Sequence, residues 1–340
     1  MVKGVTIIMK MAIKMLVALL IVGIAPVAYG QGRLVVYSGR SESLVGPLLK
    51  MFTEDTGIKV EVRYGDSAEM AATILEEGRN SPADIFFSQD AGALGALAKR
   101  GRLMRLPNSL LGRVESRFRS HEGVWVGVSG RARVVVYNTE RLKESDLPPS
   151  ILGFTDPKWR GRMGWAPTNG SFQAFVTAFR VKAGNKAIRE WLMGIIANRP
   201  RVYPNNTAIV RAVAAGEIDV GFVNHYYLYQ FLADQGKAFK ARNYYNLGGD
   251  VGALVNVAGV GIIDTARNRA EAETFIGYLL SEKAQTYFAE VTYEYPLIPG
   301  IKTNELLKPL AEIDTPNIDL SNLDDLAGTL ELLQDVGVLN

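Results

Sequence analysis

The sequence predicts an α/β protein with about two lobes, and three observations lead to this expectation. Short apolar segments typical of buried strands alternate with amphipathic segments typical of helices along most of the chain. The length of 340 residues exceeds what one ordinary hydrophobic core accommodates. A hydrophobic content of 48% excludes a disordered chain, and 34 Gly and 14 Pro without a fixed period exclude a collagen-like or low-complexity one.

The first part of the alternation predicts four strands and three helices. Residues 59–63 alternate apolar and charged side chains, as a half-buried strand does, and the helix before them is expected to end at Gly57. Ala71, Ile74 and Leu75 share one face of the next helix. The expected strands are 34–37, 59–63, 84–87 and 133–137, and the expected helices are 45–54, 67–78 and 91–101.

The same alternation then restarts, which favours a second lobe. The expected strands of this part are 201–203, 219–223 and 252–257, and the expected helices are 171–183, 208–215, 226–235, 270–281 and a polar one at 323–334. No segment after residue 30 is long and apolar enough to be interpreted as a membrane span.

The first thirty residues have the order of a secretory signal peptide. Three lysines without acids precede an apolar run at 15–24, and the small-residue pattern 28–30 follows. We expect cleavage after Gly30 and a periplasmic or secreted protein. The alternative is an uncut anchor, although the apolar run is about half of the ~20 residues that a span needs. Met9 is an alternative start, and the chain has no cysteine for a lipid anchor.

Charge and composition exclude several functions. The three lysines of the signal account for the whole excess of 38 basic over 35 acidic groups, so the remainder is neutral and no nucleic-acid partner is expected. The absence of cysteine excludes disulfides, iron–sulfur clusters, thiolate zinc sites and thiol nucleophiles, and two histidines exclude a multi-histidine metal site. A bound ligand must therefore meet oxygens, amides, guanidinium groups or aromatic faces.

Residues 82–90 and 217–225 resemble each other in register. Asp84 matches Asp219, Phe87 matches Phe222, and Gln89 matches Asn224. One interpretation is that any two strand-to-helix units look alike. The other is two similar lobes that face each other, with both amides at the carboxyl end of a strand, where open α/β sheets bind ligands.

Two adjacent tyrosines form the most distinctive local pattern. Asn224 is expected to be the N-cap of the following helix, which places Tyr226 and Tyr227 in its first turn. Adjacent helical side chains point about 100° apart, so we expect both rings to border one pocket without stacking on each other. A phenolate pair is a hard-oxygen site suited to Fe³⁺. The alternative is that both rings simply pack between helix and sheet.

Three loops are candidates for binding an anion. Asn169, Gly170 and Ser171 precede an apolar helix whose first N–H groups lack helical partners. Arg131, with Arg133, precedes a strand and offers a guanidinium fork. Ordinary capping and surface arginines are the alternatives for these two loops.

The third loop follows the first strand, where Ser41 or Glu42 could reach the same cleft; a solvated loop is the alternative.

Enzyme functions find little support, because the sequence has no nucleophile elbow, no P-loop and no dinucleotide fingerprint. His121 lies in a polar turn, and His225 is expected to pack or cap rather than to act as a base.

The chain resembles the periplasmic ferric-ion-binding proteins of ABC importers, within the type II periplasmic binding protein fold. The resemblance covers essentially the whole mature chain. It rests on the segments 36–40, 54–60, 80–84, 129–137, 157–161, 168–171, 224–227 and 294–297. It implies two lobes, each a mixed sheet flanked by helices, with hinge strands near 131–137 and 255–257. The implied lobes are 31–130 with 257–305, and 131–256 with 306–340.

The resemblance also implies a site and partners. Tyr226 and Tyr227 correspond to iron ligands. Arg131 and the loop 169–171 correspond to the site of a synergistic anion such as carbonate or phosphate, and Asn206 and Asn224 to positions near that anion. The implied protein is a monomer that delivers Fe(III) to an inner-membrane permease with its cytoplasmic ATPase.

Other ligand positions of the family are changed. Ser41 stands where some members have His, Glu42 where others have Tyr, Gln89 where some have Glu, and Ser171 where others have a third Tyr. Glu42, Gln89 or the following Asp90 would then complete the iron shell, or anion and water would. The alternative cargo is a ferric chelate or a small organic or phosphate-like anion, and a secreted hydrolase is the remaining option.

Overall fold

The computed structural model describes residues 32–339. The expected signal peptide and its cleavage after Gly30 lie outside the described residues. Nine strands are found in the described part of the chain: β1 Arg33–Ser38, β2 Lys59–Tyr64, β3 Ile85–Ser88, β4 Val126–Asn138, β5 Met163–Trp165, β6 Arg201–Val202, β7 Val220–Asn224, β8 Ala241–Tyr244 and β9 Val255–Ile262.

Helices cover the strands, and short 3₁₀ turns connect many of the elements. Within residues 32–339 the α-helices are α1 Glu42–Thr56, α2 Ser67–Glu77, α3 Ala91–Lys99, α4 Asn108–Leu111, α5 Gly170–Ala197, α6 Asn206–Ala214, α7 Tyr226–Gln235, α8 Arg269–Leu279, α9 Glu282–Glu290 and α10 Leu326–Asp335. A helix long and apolar enough to cross a membrane is not found among these ten.

The strands form one continuous mixed sheet in the order β2-β1-β3-β9-β4-β7-β5-β6, with β8 also paired to β4. β1 is parallel to β2 and β3, and β5 is parallel to β6 and β7. β4 and β9 run antiparallel to their neighbours. This arrangement confirms the α/β class expected from the alternating pattern.

The long strand β4 belongs to both halves of the sheet. Its first residues, to Ala132, pair with β9, and residues 133–138 pair with β7 and β8. We call β1, β2, β3 and β9 the first half and β5 to β8 the second half. The expected hinge segments 131–137 and 255–257 lie on β4 and β9, where one half passes into the other. Their role as hinges and the exact lobe limits stay predictions.

Apolar periodicity fixes which faces are buried. In α1 the buried residues Leu44, Leu48, Leu49 and Phe52 recur at the helical spacing, and the helix ends where Gly57 takes a φ of 74°. Every residue of β4 is buried, because sheet and helices cover it on all sides.

The observed elements differ from expectation at several places. The helix expected at 171–183 extends to Ala197, with a break at Gly184, whose φ is 83°. The strand expected at 252–257 begins at Val255 after a 3₁₀ turn, and the one expected at 133–137 begins at Val126. β5, β8 and α9 were not expected from the sequence. The polar C-terminal helix is present, and a hydrogen bond of 2.7 Å joins the hydroxyl of its Thr329 to the hydroxyl of Thr177 on α5.

Candidate functional site

The tyrosine pair lies at the start of α7, directly after the carboxyl end of β7. Tyr226 is 0% exposed and Tyr227 is 8% exposed. Their rings stack with centroids 4.2 Å apart and planes 30° apart. The expectation that the rings could not stack was therefore wrong. Tyr226 begins the helix, where no preceding helical turn restricts its side chain, so its ring can turn onto that of Tyr227.

Asn224 is not the N-cap of α7, contrary to expectation. It remains in β7, where pairing with Arg133 of β4 keeps it extended, and His225 takes the cap position without a side-chain capping bond. The Oδ1 of Asn224 instead accepts from Nη1 of Arg133 at 3.5 Å. The strand thus holds the amide beside β4, and the start of α7 has no cap from its own side chains.

His225 has a structural role rather than a chemical one. Its Nδ1 accepts the N–H of Ala132 at 3.1 Å, and its ring stacks on Tyr295 at 4.7 Å. Burial lowers the pKa of His225 to about 3, so the ring is neutral. The ring also lies edge-on to that of Tyr226, with centroids 5.7 Å apart, so His225 packs as expected.

Two buried arginines flank the tyrosine pair. Arg40, just after β1, donates from Nη2 to Glu294 at 2.9 Å, and its guanidinium carbon lies 5.9 Å from the centre of the Tyr226 ring. Arg131 on β4 donates from Nη2 to the carbonyl of Val257 at 3.2 Å. Within the described chain, Nε and Nη1 of both arginines and the hydroxyl of Tyr226 are buried without a hydrogen-bond partner. Such buried donors cost about 1–3 kcal/mol each unless a ligand satisfies them.

The charges of this cluster interact. Burial disfavours the charged form of Arg40, but the Glu294 carboxylate and the two tyrosines together outweigh it and raise the pKa of Arg40, so this guanidinium stays ionised. Burial raises the pKa of Tyr227 well above its usual value, and the neighbouring Tyr226 adds to the shift. Arg40 and Arg131 oppose it. Without a cation between the phenols, Tyr227 is therefore protonated at neutral pH.

The structure brings several of the expected anion-binding residues together at the start of α5, whereas Arg131 bonds the Val257 carbonyl instead of this loop. Asn169 is the N-cap, and its Oδ1 accepts from the backbone N–H of Ser171 at 3.1 Å and from its hydroxyl at 2.5 Å. The same oxygen accepts from Asn206 at 3.2 Å and from Gln89 at 3.4 Å. Arg133 Nη1 reaches the Ser171 hydroxyl at 3.5 Å, which links this loop to Asn224.

The corner between β3 and α3 meets the same loop from the first half of the sheet. Gln89 and Asp90 are both buried there. A Cβ placed on Gly170 would lie 2.8 Å from Oδ2 of Asp90, so a side chain here would displace the Asp90 carboxyl group. Gln89 thus contacts the loop directly, whereas Asn224, its match in the internal repeat, is linked to the loop only through Arg133.

Ser41 and Glu42 lie apart from this cluster. Both are exposed at the start of α1, and the Ser41 hydroxyl bonds that of Ser43 at 3.2 Å. Glu42 lines an open groove of about 670 Å³ between α1 and β2, together with Tyr64. In residues 32–339 no hydrogen bond or ion pair joins either residue to the tyrosine pair, and no group of three or more His, Cys, Asp and Glu side chains is placed to hold a metal.

Sequence reasoning missed the Arg40–Glu294 ion pair. The two residues are 254 positions apart, and both side chains are fully buried. Glu294 also accepts from the hydroxyls of Ser129 and Thr292, each at 3.1 Å. The only local signal was that both residues stand in segments that carried the family resemblance.

Comparisons with known proteins agree on one family. Residues 48–315 match the model of the bacterial extracellular solute-binding proteins. The chain is 33% identical over 311 residues to the major ferric iron-binding protein of Neisseria meningitidis, covering 89% of this chain and 92% of that one. It is 32% identical over 308 residues to the Fe(3+)-binding periplasmic protein of Serratia marcescens, covering 90% of both.

Solved structures of similar proteins match the fold. Iron-bound HitA from Pseudomonas aeruginosa superposes with a TM-score of 0.86 at 34% identity, covering 90% of this chain and 99% of that one. A Trichodesmium protein, IdiA or FutA, in complex with iron and citrate superposes with a TM-score of 0.76 at 31% identity and the same coverage. These relatives are solute-binding proteins of two-lobe architecture and not enzymes, and the fold expected here is the same.

Proposed function

The chain belongs to the family of bacterial extracellular solute-binding proteins, and we propose that it binds Fe(III) between its lobes and delivers it to an ABC permease. Similar proteins are named for binding ferric iron, and one is named as periplasmic. The proposal includes a periplasmic or secreted monomer, with the signal cleaved near Gly30. Its partner is an inner-membrane permease with a cytoplasmic ATPase.

One observation carries the proposal. Tyr226 and Tyr227 form a buried, stacked pair, and the nearby Arg40 and Arg131 each have two buried guanidinium nitrogens without a hydrogen-bond partner. Phenolate oxygens are hard ligands that suit a trivalent cation. Two phenolates leave Fe³⁺ with one positive charge and open coordination positions, and oxygen anions held by the arginines would fill them.

The remaining residues of the site have supporting roles in this proposal. Arg131 and the loop of Asn169, Gly170 and Ser171 hold the synergistic anion, carbonate or phosphate. Asn206 orients that loop by donating to Asn169, and Asn224 holds Arg133, which reaches Ser171 of the loop. The amide nitrogen of Gln89 donates to Asn169 of this loop at 3.4 Å, and its amide oxygen is a candidate iron ligand in the proposal. Ser41 and Glu42 lie on the exposed side of α1, so we leave them out of the ligand set.

Closure around the cargo follows from the strand connections. The first half of the sheet supplies Arg40 and Gln89, and the second half supplies the tyrosines and the start of α5. β4 runs from the first half into the second, and the start of β9 pairs with it at that passage, so bending there would open the site. Iron that bonds groups of both halves shifts the population to the closed form, which the permease then recognises.

A second candidate cargo is a ferric chelate or a small organic or phosphate-like anion in the same cleft. The four unpartnered guanidinium nitrogens favour it, because they would bind carboxylates of a chelator as well as carbonate. The two candidates differ in whether iron touches the tyrosines directly.

A visible spectrum of the purified mature protein, titrated with ferric ion with and without bicarbonate, tests the proposal. We expect a tyrosinate-to-iron charge-transfer band and an iron affinity that falls about a hundredfold or more in Tyr226→Phe and in Tyr227→Phe, since each loses one ligand. Tyr229→Phe, a buried tyrosine on the same helix, is the matched control and should keep the band. Saturating ferric ion without a band would overturn direct binding and favour the chelate.

A further inference from the structure

The C-terminal segment, residues 319–335, contacts elements of both halves. Before it, the chain passes the start of β9, where the Thr315 hydroxyl accepts the N–H of Val255 at 3.0 Å. The segment then lies against α3, which packs on β3 and β9 of the first half. It ends in α10, which lies on α5 of the second half. Since the segment is one covalent stretch of chain, its two contacts connect the halves in addition to β4 and β9.

The contact with α3 is close because two glycines of that helix face the segment. A Cβ on Gly95 would lie 2.9 Å from both Cα and Cβ of Asp324. A Cβ on Gly92 would lie 3.0 Å from the carbonyl oxygen of Leu323, whose side chain is fully buried. The Lys99 ammonium lies 3.5 Å from the Asp324 carboxylate, and both side chains are partly exposed. Exposed pairs contribute little, so this contact depends mainly on packing.

The contact with α5 depends on hydrogen bonds. Nη1 of Arg180 donates to the carbonyl of Asp325 and to the hydroxyl of Thr329, each at 3.0 Å. Nη2 donates to the Asp325 carboxylate at 2.8 Å. The hydroxyl of Thr329 also bonds that of Thr177 at 2.7 Å, and both threonines are buried. Hydrogen bonds between a guanidinium and a carboxylate are about twice as strong as neutral ones, so the first turn of α10 is firmly held on α5.

Both contacts lie beside the place where the two halves meet. Asp90 at the start of α3 and Gly170 at the start of α5 approach each other there. Gly95 follows Asp90, and Thr177 follows Gly170, by one to two helical turns. Bending at β4 and β9 that separates α3 from α5 would therefore pull on the C-terminal segment from both sides.

We propose that residues 319–335 form a clasp, which joins the two halves beside the cleft and limits how far they separate. The inference rests on the proposed function in that opening of the cleft releases the cargo. The weaker side of the clasp is its contact with α3, where packing and an exposed ion pair hold it. Wide opening detaches the segment from α3, while α10 stays on α5.

Gly95→Ala tests the α3 side of the clasp. The added methyl group meets the backbone of Asp324, and alanine favours the helix, so α3 itself is not weakened. The chain has no cysteine, so spin labels can be attached at Lys50→Cys on α1 and Lys186→Cys on α5, both exposed. Pulsed electron paramagnetic resonance of the iron-free protein then measures the distance between the halves. We expect Gly95→Ala to lengthen the mean distance by more than about 2 Å.

Gly277→Ala is the matched control for this substitution. Gly277 lies on α8 of the first half, and a Cβ there would be 3.6 Å from the Leu110 side chain, an ordinary van der Waals distance. The control gains the same helix preference without displacing a neighbour, so its label distance should equal that of the wild type. A Gly95→Ala distance equal to that of the control would overturn the inference.

Arg180→Gln tests the α5 side, because it removes the charge-assisted bonds to α10. It should also lengthen the label distance, whereas Arg269→Gln, whose partner Glu273 lies on the same helix, should not. If Arg180→Gln does not fold, Arg180→Lys takes its place, since lysine keeps the charge but loses the planar fork.

The double variant Gly95→Ala/Arg180→Gln shows whether the two contacts belong to one clasp. Releasing either end of a clasp frees the halves, so the double variant should separate them no further than the more open single variant. Additive lengthening would overturn the inference, because the two contacts would then act independently. An unchanged distance in either single variant would overturn it as well.

Iron release separates this inference from the proposed function. We expect Gly95→Ala to lose iron to a chelator about tenfold faster than the wild type and Gly277→Ala. Release at the wild-type rate would overturn the role of the clasp in release. The label distance is measured without cargo, so it decides the clasp even if the wild type gives no charge-transfer band and the proposed function fails.

Discussion

The corner between β3 and α3 and the corner between β7 and α7 share a sequence pattern, with an amide at the end of the strand and a helix that starts within two residues. At the first corner Asp90 caps α3 with its own carboxylate. At the second corner α7 has no side-chain cap and begins with two stacked phenols. One corner thus has a carboxyl group at its helix start and the other has two phenols. The shared pattern determines where each corner lies, and one or two further residues determine its chemistry.

The aspartates that precede the two strands also differ in their surroundings. Asp84 is buried and accepts four hydrogen bonds, from the N–H groups of Val35, Arg267 and Asn268 and from the Asn268 amide. Asp219, its counterpart, pairs with the partly exposed Arg141 and Arg162. The first aspartate connects three segments inside the protein, whereas the second forms an ion pair near the surface.

The acid sensitivity of iron binding gives the largest expected effect and tests whether the second corner is the cation side. Burial raises the pKa of Tyr227, so its phenol is protonated at neutral pH and iron must displace that proton. Affinity should fall as the pH is lowered from 8 to 5, by about tenfold per pH unit for each phenolate ligand. Competition titrations against a chelator of known affinity, followed by the charge-transfer band, measure the slope.

Tyr227→Phe is the matched variant for this slope, because it removes one of the two protons that iron displaces. The logarithm of its residual iron affinity should change by about one less per pH unit than that of the wild type. An iron affinity that stays constant between pH 5 and pH 8 would show that the phenols are not ligands. The second corner would then not be the cation-binding one.

Asp84→Asn should reduce the free energy of unfolding by about 2–4 kcal/mol, since the amide nitrogen faces two donors that it cannot accept from. Urea denaturation at pH 7 measures the loss. The iron-dependent band should persist in the folded fraction, because Asp84 touches the strand start and not the tyrosines. A loss below about 0.5 kcal/mol, the size of an ordinary surface substitution, would remove the difference between the two strand starts.

The sequence predicted most of the elements whose signal was local. Helix and strand alternation follows from apolar periodicity, and the Tyr226–Tyr227 pair is adjacent in the chain. β5 was missed because it has three residues, and α9 because Ser281 separates it from α8 without a glycine or proline. Arg40 with Glu294, and Asp90 with Gly170, are pairs that meet only through the folded chain. Ring stacking was misjudged because it depends on side-chain rotamers at a helix start.

Asp219→Asn should give the smallest effect, a loss of about 1 kcal/mol or less in the free energy of unfolding, because both arginine partners are partly exposed to water. Burial alone would raise the pKa of Asp219, but hydrogen bonds from Arg141 and Arg162 outweigh it, and the net shift is downward. A carboxylate with a lowered folded-state pKa stabilises the protein above its unfolded value of about 3.9 and loses that contribution as the pH falls through the folded value.

The difference between wild type and Asp219→Asn should therefore be present at pH 7, shrink below pH 4, and shrink in high salt as the exposed pair is screened. Urea denaturation of both proteins at pH 7 and at pH 3 measures it, with Asp84→Asn under the same conditions as the reference. Equal losses of unfolding free energy for the two aspartates at pH 7 would mean that matched positions in the repeat contribute equally to stability. A loss confined to Asp84 would instead show that burial of the partners, and not the residue in the pattern, sets the energy at each corner.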